Sequence, residues 1–151
     1  LTPEQKELFE ALLNPDFSKI EWPLFENDVA TRDSNGKILN AIAKAIPSFL
    51  GGSADLGPSN KSELAGMGDF PYGRNMHFGI REHAMGAIIN SFALYGLFIP
   101  YGATFFIFSD YKIIASIWEM HFGKHLYFFI LSLENQVTKL ISQPFFIIIC
   151  H

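Results

Sequence analysis

The chain has 151 residues, 49% of them apolar and 15% aromatic, enough for one packed domain and inconsistent with a disordered chain. Its 11 basic and 15 acidic residues give a net charge of −4 without a basic run, which argues against a nucleic-acid or anionic-membrane surface. A single cysteine, Cys150, rules out an internal disulfide framework and fits a reducing compartment. The acid-bearing amino terminus lacks the pattern of a secretory leader, so a cytoplasmic location is expected.

Thr2-Pro3-Glu4-Gln5 predicts a helix start: Thr2 caps, Pro3 suits the first position and Gln5 completes a capping box. Leu8, Phe9, Leu12 and Leu13 form one stripe, and Asn14-Pro15 ends it. Residues 15 to 30 read as an irregular connector. A second helix is expected from Thr31 to Ile46, with Ile38, Leu39, Ile42 and Ile46 on one face and Pro47 as its stop. Phe49-Leu50 reads as a short strand leading into tight turns at Gly51-Gly52. The Gly- and Pro-rich residues 57 to 75 read as a loop.

Strand, helix, strand, helix and strand are then expected at 76–80, 82–95, 98–107, 110–120 and 126–131, with Gly96 as a helix terminator and Ser109 as a cap. This alternation predicts an α/β fold, a mostly parallel sheet with helices on both faces. Thr104 to Leu133 is interrupted by Asp110, Lys112, Glu119 and Lys124. Tyr127 to Leu133 and Phe145 to Cys150 fall well short of the ~20 apolar residues of a membrane span, and read as strands rather than anchors. No membrane partner is expected.

The run Phe78-Gly79-Ile80-Arg81-Glu82-His83-Ala84-Met85 changes period at Arg81, from strand to helix. Glu82 therefore falls in the first helical turn at the carboxyl end of a strand, where open α/β sheets bind ligands. An acid there also complements the helix dipole without any further role. His83 points to another face of the helix and is expected to pack or orient a loop. His121 and His125 stand four apart, but Gly123 lies between them and no third ligand is close, so no metal site is expected.

Three further blocks accompany this run. They are Gly51-Gly52-Ser53-Ala54-Asp55-Leu56 with Pro58-Ser59-Asn60, Pro100-Tyr101-Gly102-Ala103-Thr104-Phe105-Phe106 with Phe108-Ser109-Asp110-Tyr111, and Thr31-Arg32 with Asn40. Together they closely resemble the pyrimidine-binding domain of transketolases, over roughly residues 20 to 120. The resemblance implies a thiamine-diphosphate-binding fold of the pyrimidine-domain type. It also implies transfer of a two-carbon ketol unit between sugar phosphates, as in the pentose phosphate pathway. Glu82 matches the family residue that hydrogen-bonds the ring nitrogen of the aminopyrimidine and is expected in a desolvated, aromatic-lined pocket. Phe105, Phe108 and Tyr111 match the aromatics lining that site, although each could be core alone. Asp55 matches a residue on the cofactor side of the subunit interface, where an Asp could equally be a turn residue. Arg32 and Ser59 match the positions holding the sugar-phosphate end, with an exposed surface charge the plain reading of Arg32.

The family's diphosphate-binding domain, with its Gly-Asp-Gly opening, has no counterpart here, so Mg²⁺ and the diphosphate cradle are expected from elsewhere. Residues 1–28 read as helix and linker from that preceding domain, 29–131 as a truncated pyrimidine-binding domain and 132–151 as a divergent apolar tail. After Met120 the family phrases Thr-His-Asp-Ser and Gly-Glu-Asp-Gly-Pro-Thr-His do not follow, as a slip of reading frame or an unspliced end would produce. The chain opens on Leu1 and reads as a piece of a longer product. The expected partners are sugar-phosphate substrates and a second copy or a diphosphate-binding domain, without which the chain is expected to be inactive; a non-catalytic dimerisation or regulatory module, or an inactive fragment of such an enzyme, is the alternative.

Overall fold

Side chains alternate across Phe49–Ser53 (β1): Phe49 packs to one side of the sheet and Leu50 to the other. The structure, a computed structural model, describes residues 1–105, 108 and 148–150. β1 pairs in parallel with Asn75–His77 (β2) on one side and Ile99–Phe105 (β3) on the other. β3 in turn pairs in parallel with Ile148–Cys150 (β4), giving the order β2-β1-β3-β4. The expected helix at 110–120, the expected strand at 126–131 and the Ser109 cap lie outside the described residues.

Two helices sandwich the sheet. Thr31–Ala45 (α2) buries Leu39, Ile42 and Ala43 against Phe49, Tyr101 and Ala103. Glu82–Tyr95 (α4) buries Met85 and Ile89 against Leu50, Met76 and Phe78 on the opposite face. Helices on both faces of a parallel sheet therefore stand as expected. On the α2 side the Phe49 and Tyr101 rings stack at 4.9 Å and 15°, an arrangement worth about 0.5–1.5 kcal/mol beyond burial.

The termini of the helices follow local chemistry. Pro3–Leu13 (α1) has the capping box of Thr2 and Gln5, and Asn14 is its C-cap. Gly96 ends α4 in the left-handed region, at φ 81°. None of α1 is buried, and Leu8, Phe9 and Leu13 face solvent. Within 57–75 the chain forms a short helix, Gly57–Asn60 (α3), that the loop reading does not include.

Gly51 and Gly52 correct the expected turn, for both belong to β1. A Cβ on Gly51 would collide with the Tyr101 carbonyl oxygen of β3, and one on Gly52 with the Met76 carbonyl oxygen of β2. Close approach of neighbouring strands, rather than a change of direction, requires glycine here.

Candidate functional site

From β1 the chain moves to β2 on one side, then crosses β1 through α4 to reach β3 on the other. The order reverses between β1 and β3, and such a switch point opens a crevice at the carboxyl ends of the strands. Helices that follow or precede parallel strands turn their amino ends toward that same edge. α4 starts five residues after β2 ends, and Gly36 of α2 abuts Lys61 just after α3.

The residues singled out from sequence gather along this edge where they are described. Asp55 stands two residues beyond the end of β1, exposed and at φ 73°, and Ser59 is exposed in α3. Glu82 is the first residue of α4 and half-buried, and Arg32 is the second residue of α2 and exposed. None of these four side chains has a hydrogen bond or ion pair to another described residue. Phe105 ends β3, half-buried and packed against the cluster on the α2 face; Phe108 is also half-buried. Tyr111, His121 and His125 lie outside the described residues, and His83 is exposed.

Neither α2 nor α4 has a side-chain cap, for their N-caps are Ala30 and Arg81. Arg81 instead turns its guanidinium back onto the Phe78 carbonyl at 3.1 Å. The two helix starts thus offer free N–H groups and positive dipole ends to the edge. A cavity of about 140 Å³ lies at the ends of β1 and β2, bordered by Ser53, Asp55, Glu63, Asn75 and His77 among others. Glu82 and the two phenylalanines are not among its lining residues. Among the described residues no group of three or more His, Cys, Asp or Glu could hold a metal.

Several polar residues to which the sequence reading assigns no role fasten the loops that build this edge. Asn75 treats Leu64 as a neighbouring strand would: its Oδ1 accepts from the Leu64 N–H at 2.8 Å and its Nδ2 donates to the Leu64 carbonyl at 2.9 Å. Asn40 accepts from the Ala65 N–H at 2.7 Å and donates to the Glu63 carbonyl at 3.1 Å, joining α2 to the same loop. The Arg74 guanidinium donates to the carbonyls of Ala43 and Ile46 at 2.7 and 2.9 Å, closing the carboxyl end of α2. Burial lowers its pKa from the usual arginine value. The Tyr101 hydroxyl donates to the Ser62 carbonyl at 2.6 Å beneath the loop.

Comparison with known proteins gives a consistent result. Residues 27–133 match the family model described as the transketolase pyrimidine binding domain. The chain is 45% identical over 117 residues to a transketolase of Aquifex aeolicus, covering 72% of this chain and 17% of that protein. It is 50% identical over 103 residues to one of Geobacillus stearothermophilus, covering 64% of this chain and 15% of the other. Among solved structures, a transketolase of Campylobacter jejuni superposes with TM-score 0.72 at 66% identity, over 74% of this chain and 18% of that one. A transketolase of Pichia stipitis solved with sedoheptulose 7-phosphate gives 0.69 at 35% identity, over 76% and 19%. The chain therefore spans less than a fifth of the length of these relatives.

Proposed function

The chain belongs to the transketolase family through its pyrimidine-binding domain, and from that premise we propose that it supplies the aminopyrimidine half of a thiamine diphosphate site. The enzyme so completed moves a two-carbon ketol unit from a ketose phosphate to an aldose phosphate. The observation that carries this reading is Glu82: a carboxylate without a described partner, in the first turn of α4, at the edge where the strand order reverses. The residues on that edge suit the cofactor, since the ring needs a proton-sharing acid and apolar cover, and Phe105 and Phe108 are half-buried there.

When bound, thiamine diphosphate supplies the electron sink for breaking and making the carbon–carbon bond beside a carbonyl. Glu82 shares a proton with a ring nitrogen of the aminopyrimidine. Phe108, Phe105 and Tyr111 cover the ring and exclude water, and Asp55 faces the cofactor at the subunit interface. Arg32 forks onto the phosphate end of the sugar and Ser59 adds a hydroxyl donor. The uncapped start of α2 beside Arg32 favours the same anion. Mg²⁺ and the diphosphate ligands come from a diphosphate-binding domain, so the working unit is a homodimer or a pairing of two domains in the cytoplasm. In this reading residues 1–28 lead in, 29–131 form the domain and 132–151 are a tail. Sugar phosphates as substrates follow the Pichia stipitis relative, solved with sedoheptulose 7-phosphate and with xylulose 5-phosphate.

The test uses this chain joined to a diphosphate-binding domain, with thiamine diphosphate and an analogue carrying carbon in place of the ring nitrogen. Wild type is expected to prefer the natural cofactor by about tenfold, the worth of one good hydrogen bond, and Glu82→Ala to lose the preference. A preference that survives Glu82→Ala would remove Glu82 from the ring nitrogen.

A further inference from the structure

The backbone at Asp55 is one that L-residues seldom adopt. Its φ is 73°, and the Leu56 N–H donates to the Ala54 carbonyl at 3.1 Å. A hydrogen bond closed across one positive-φ residue is the strained form of the γ-turn. Such a turn persists at a non-glycine residue only where the surroundings over-determine it. Asp55 is also exposed and borders the cavity at the carboxyl edge.

Asn60 grips the chain on both sides of this turn. Its backbone N–H donates to the Leu56 carbonyl at 2.9 Å, immediately after Asp55. Its side-chain Nδ2 donates to the Ser53 Oγ at 2.7 Å, two residues before Asp55. Ser53 Oγ passes the connection to β3 by donating to the Ala103 carbonyl at 3.1 Å, and the Ala54 N–H reaches the same carbonyl at 3.1 Å. The Asn60 amide cannot rotate freely, because Oδ1 accepts from the Ser62 hydroxyl at 2.6 Å and the Ser62 N–H at 3.2 Å. Asn60 is fully buried, so water cannot substitute for these partners.

We propose that Asn60 is the positioning residue of the candidate site: by clamping Ser53 and Leu56 it holds the strained turn that presents the Asp55 carboxylate beside the cavity at the carboxyl ends of β1 and β2. Its functional side rests on the reading that Asp55 faces the cofactor. Asn60 itself touches no reacting atom. An amide suits this position because one end donates to Ser53 while the other accepts from Ser62; a carboxylate cannot donate to Ser53 Oγ and meets it only by drawing the Ser53 hydroxyl proton away from the Ala103 carbonyl.

The test uses Asn60→Asp, Asp55→Ala and their double variant in this chain joined to a diphosphate-binding domain. In a crystal structure of Asn60→Asp, Asp55 is expected to leave the positive-φ region; retention of the wild-type turn would overturn the clamp. Thiamine diphosphate affinity is expected to fall about tenfold in Asn60→Asp, and the double variant is expected to bind no worse than Asp55→Ala. Losses that multiply would assign Asn60 a purely structural role. Should Asn60→Asp fail to fold, Asp55→Gly, which adopts positive φ freely, is expected to restore folding in the pair, and failure of that rescue also overturns the proposal. If Asp55→Ala binds the cofactor as wild type does, the cofactor reading of Asp55 falls, and the Asp55 φ in Asn60→Asp decides the clamp by itself.

Discussion

Burial pushes the Tyr101 hydroxyl well above its usual pKa, with Glu63 reinforcing the rise and Arg74 opposing it. The folded chain therefore holds this proton more tightly than the unfolded chain does. The resulting stability is fully present below the ordinary tyrosine value of 10.0 and is lost as pH rises beyond it. Denaturant midpoints measured from pH 9 to 11 should show stability falling by up to about 1.4 kcal/mol per pH unit above pH 10, and Tyr101→Phe should remove that part of the slope. An unchanged slope in Tyr101→Phe would contradict the assignment. At Asn75 the consequence is independent of pH. Asn75→Ala strands the Leu64 N–H and leaves the Leu64 carbonyl only the Met67 N–H at 3.2 Å, and equilibrium unfolding should register a loss of about 1–3 kcal/mol; a loss under 0.5 kcal/mol, the range of plain surface substitutions, would mean that water replaces the amide.

The sheet depends on the missing side chains of Gly51 and Gly52 in β1. Gly52→Ala brings a methyl group into the Met76 carbonyl of β2, and backbone has little room to move. The variant should lose more than the roughly 1–3 kcal/mol of ordinary overpacking, seen as a lowered thermal midpoint; a midpoint equal to wild type would show that β2 shifts at no cost. The same pair shows where sequence reading stops. Gly51-Gly52 carries the same local signal whether it turns the chain or admits a neighbour, and the neighbours, Met76 and Tyr101, are distant in sequence. α1 and α4 were legible because their signals are local: Thr2 and Gln5 cap one, and Gly96 ends the other. The short helix Gly57–Asn60 was not, because Asn60 is held by Ser53 of the preceding strand. Within the site, Glu82, Asp55 and Asn40 could be named from their motifs, whereas Asn75 and Arg74 act through partners remote in the chain and look like ordinary polar residues until the loops close.

At the scale of the whole molecule, large apolar side chains stand exposed in two groups among the described residues. Leu8, Phe9, Leu13, Phe17, Trp22 and Leu24 are exposed along α1 and the connector, and Ile80, Leu94 and Tyr95 around α4. Such contiguous exposure marks an interface or an aggregation hazard. The chain by itself should therefore associate as concentration rises, by light scattering, and a diphosphate-binding domain should disperse it. A monomer that stays dispersed at high concentration would show these surfaces to be satisfied within the chain.

The central claim is that this chain is half of a ketol-transferring site, with Glu82 as its acid. The most direct measurement is the rate of two-carbon transfer from a ketose phosphate to an aldose phosphate by the chain joined to a diphosphate-binding domain, with saturating thiamine diphosphate and Mg²⁺. The account predicts turnover that falls by about 10²–10⁴-fold in Glu82→Gln, with an unchanged thermal midpoint because the Glu82 side chain has no described partner. Cofactor-saturated assembly without turnover, or turnover indifferent to Glu82→Gln, would contradict it.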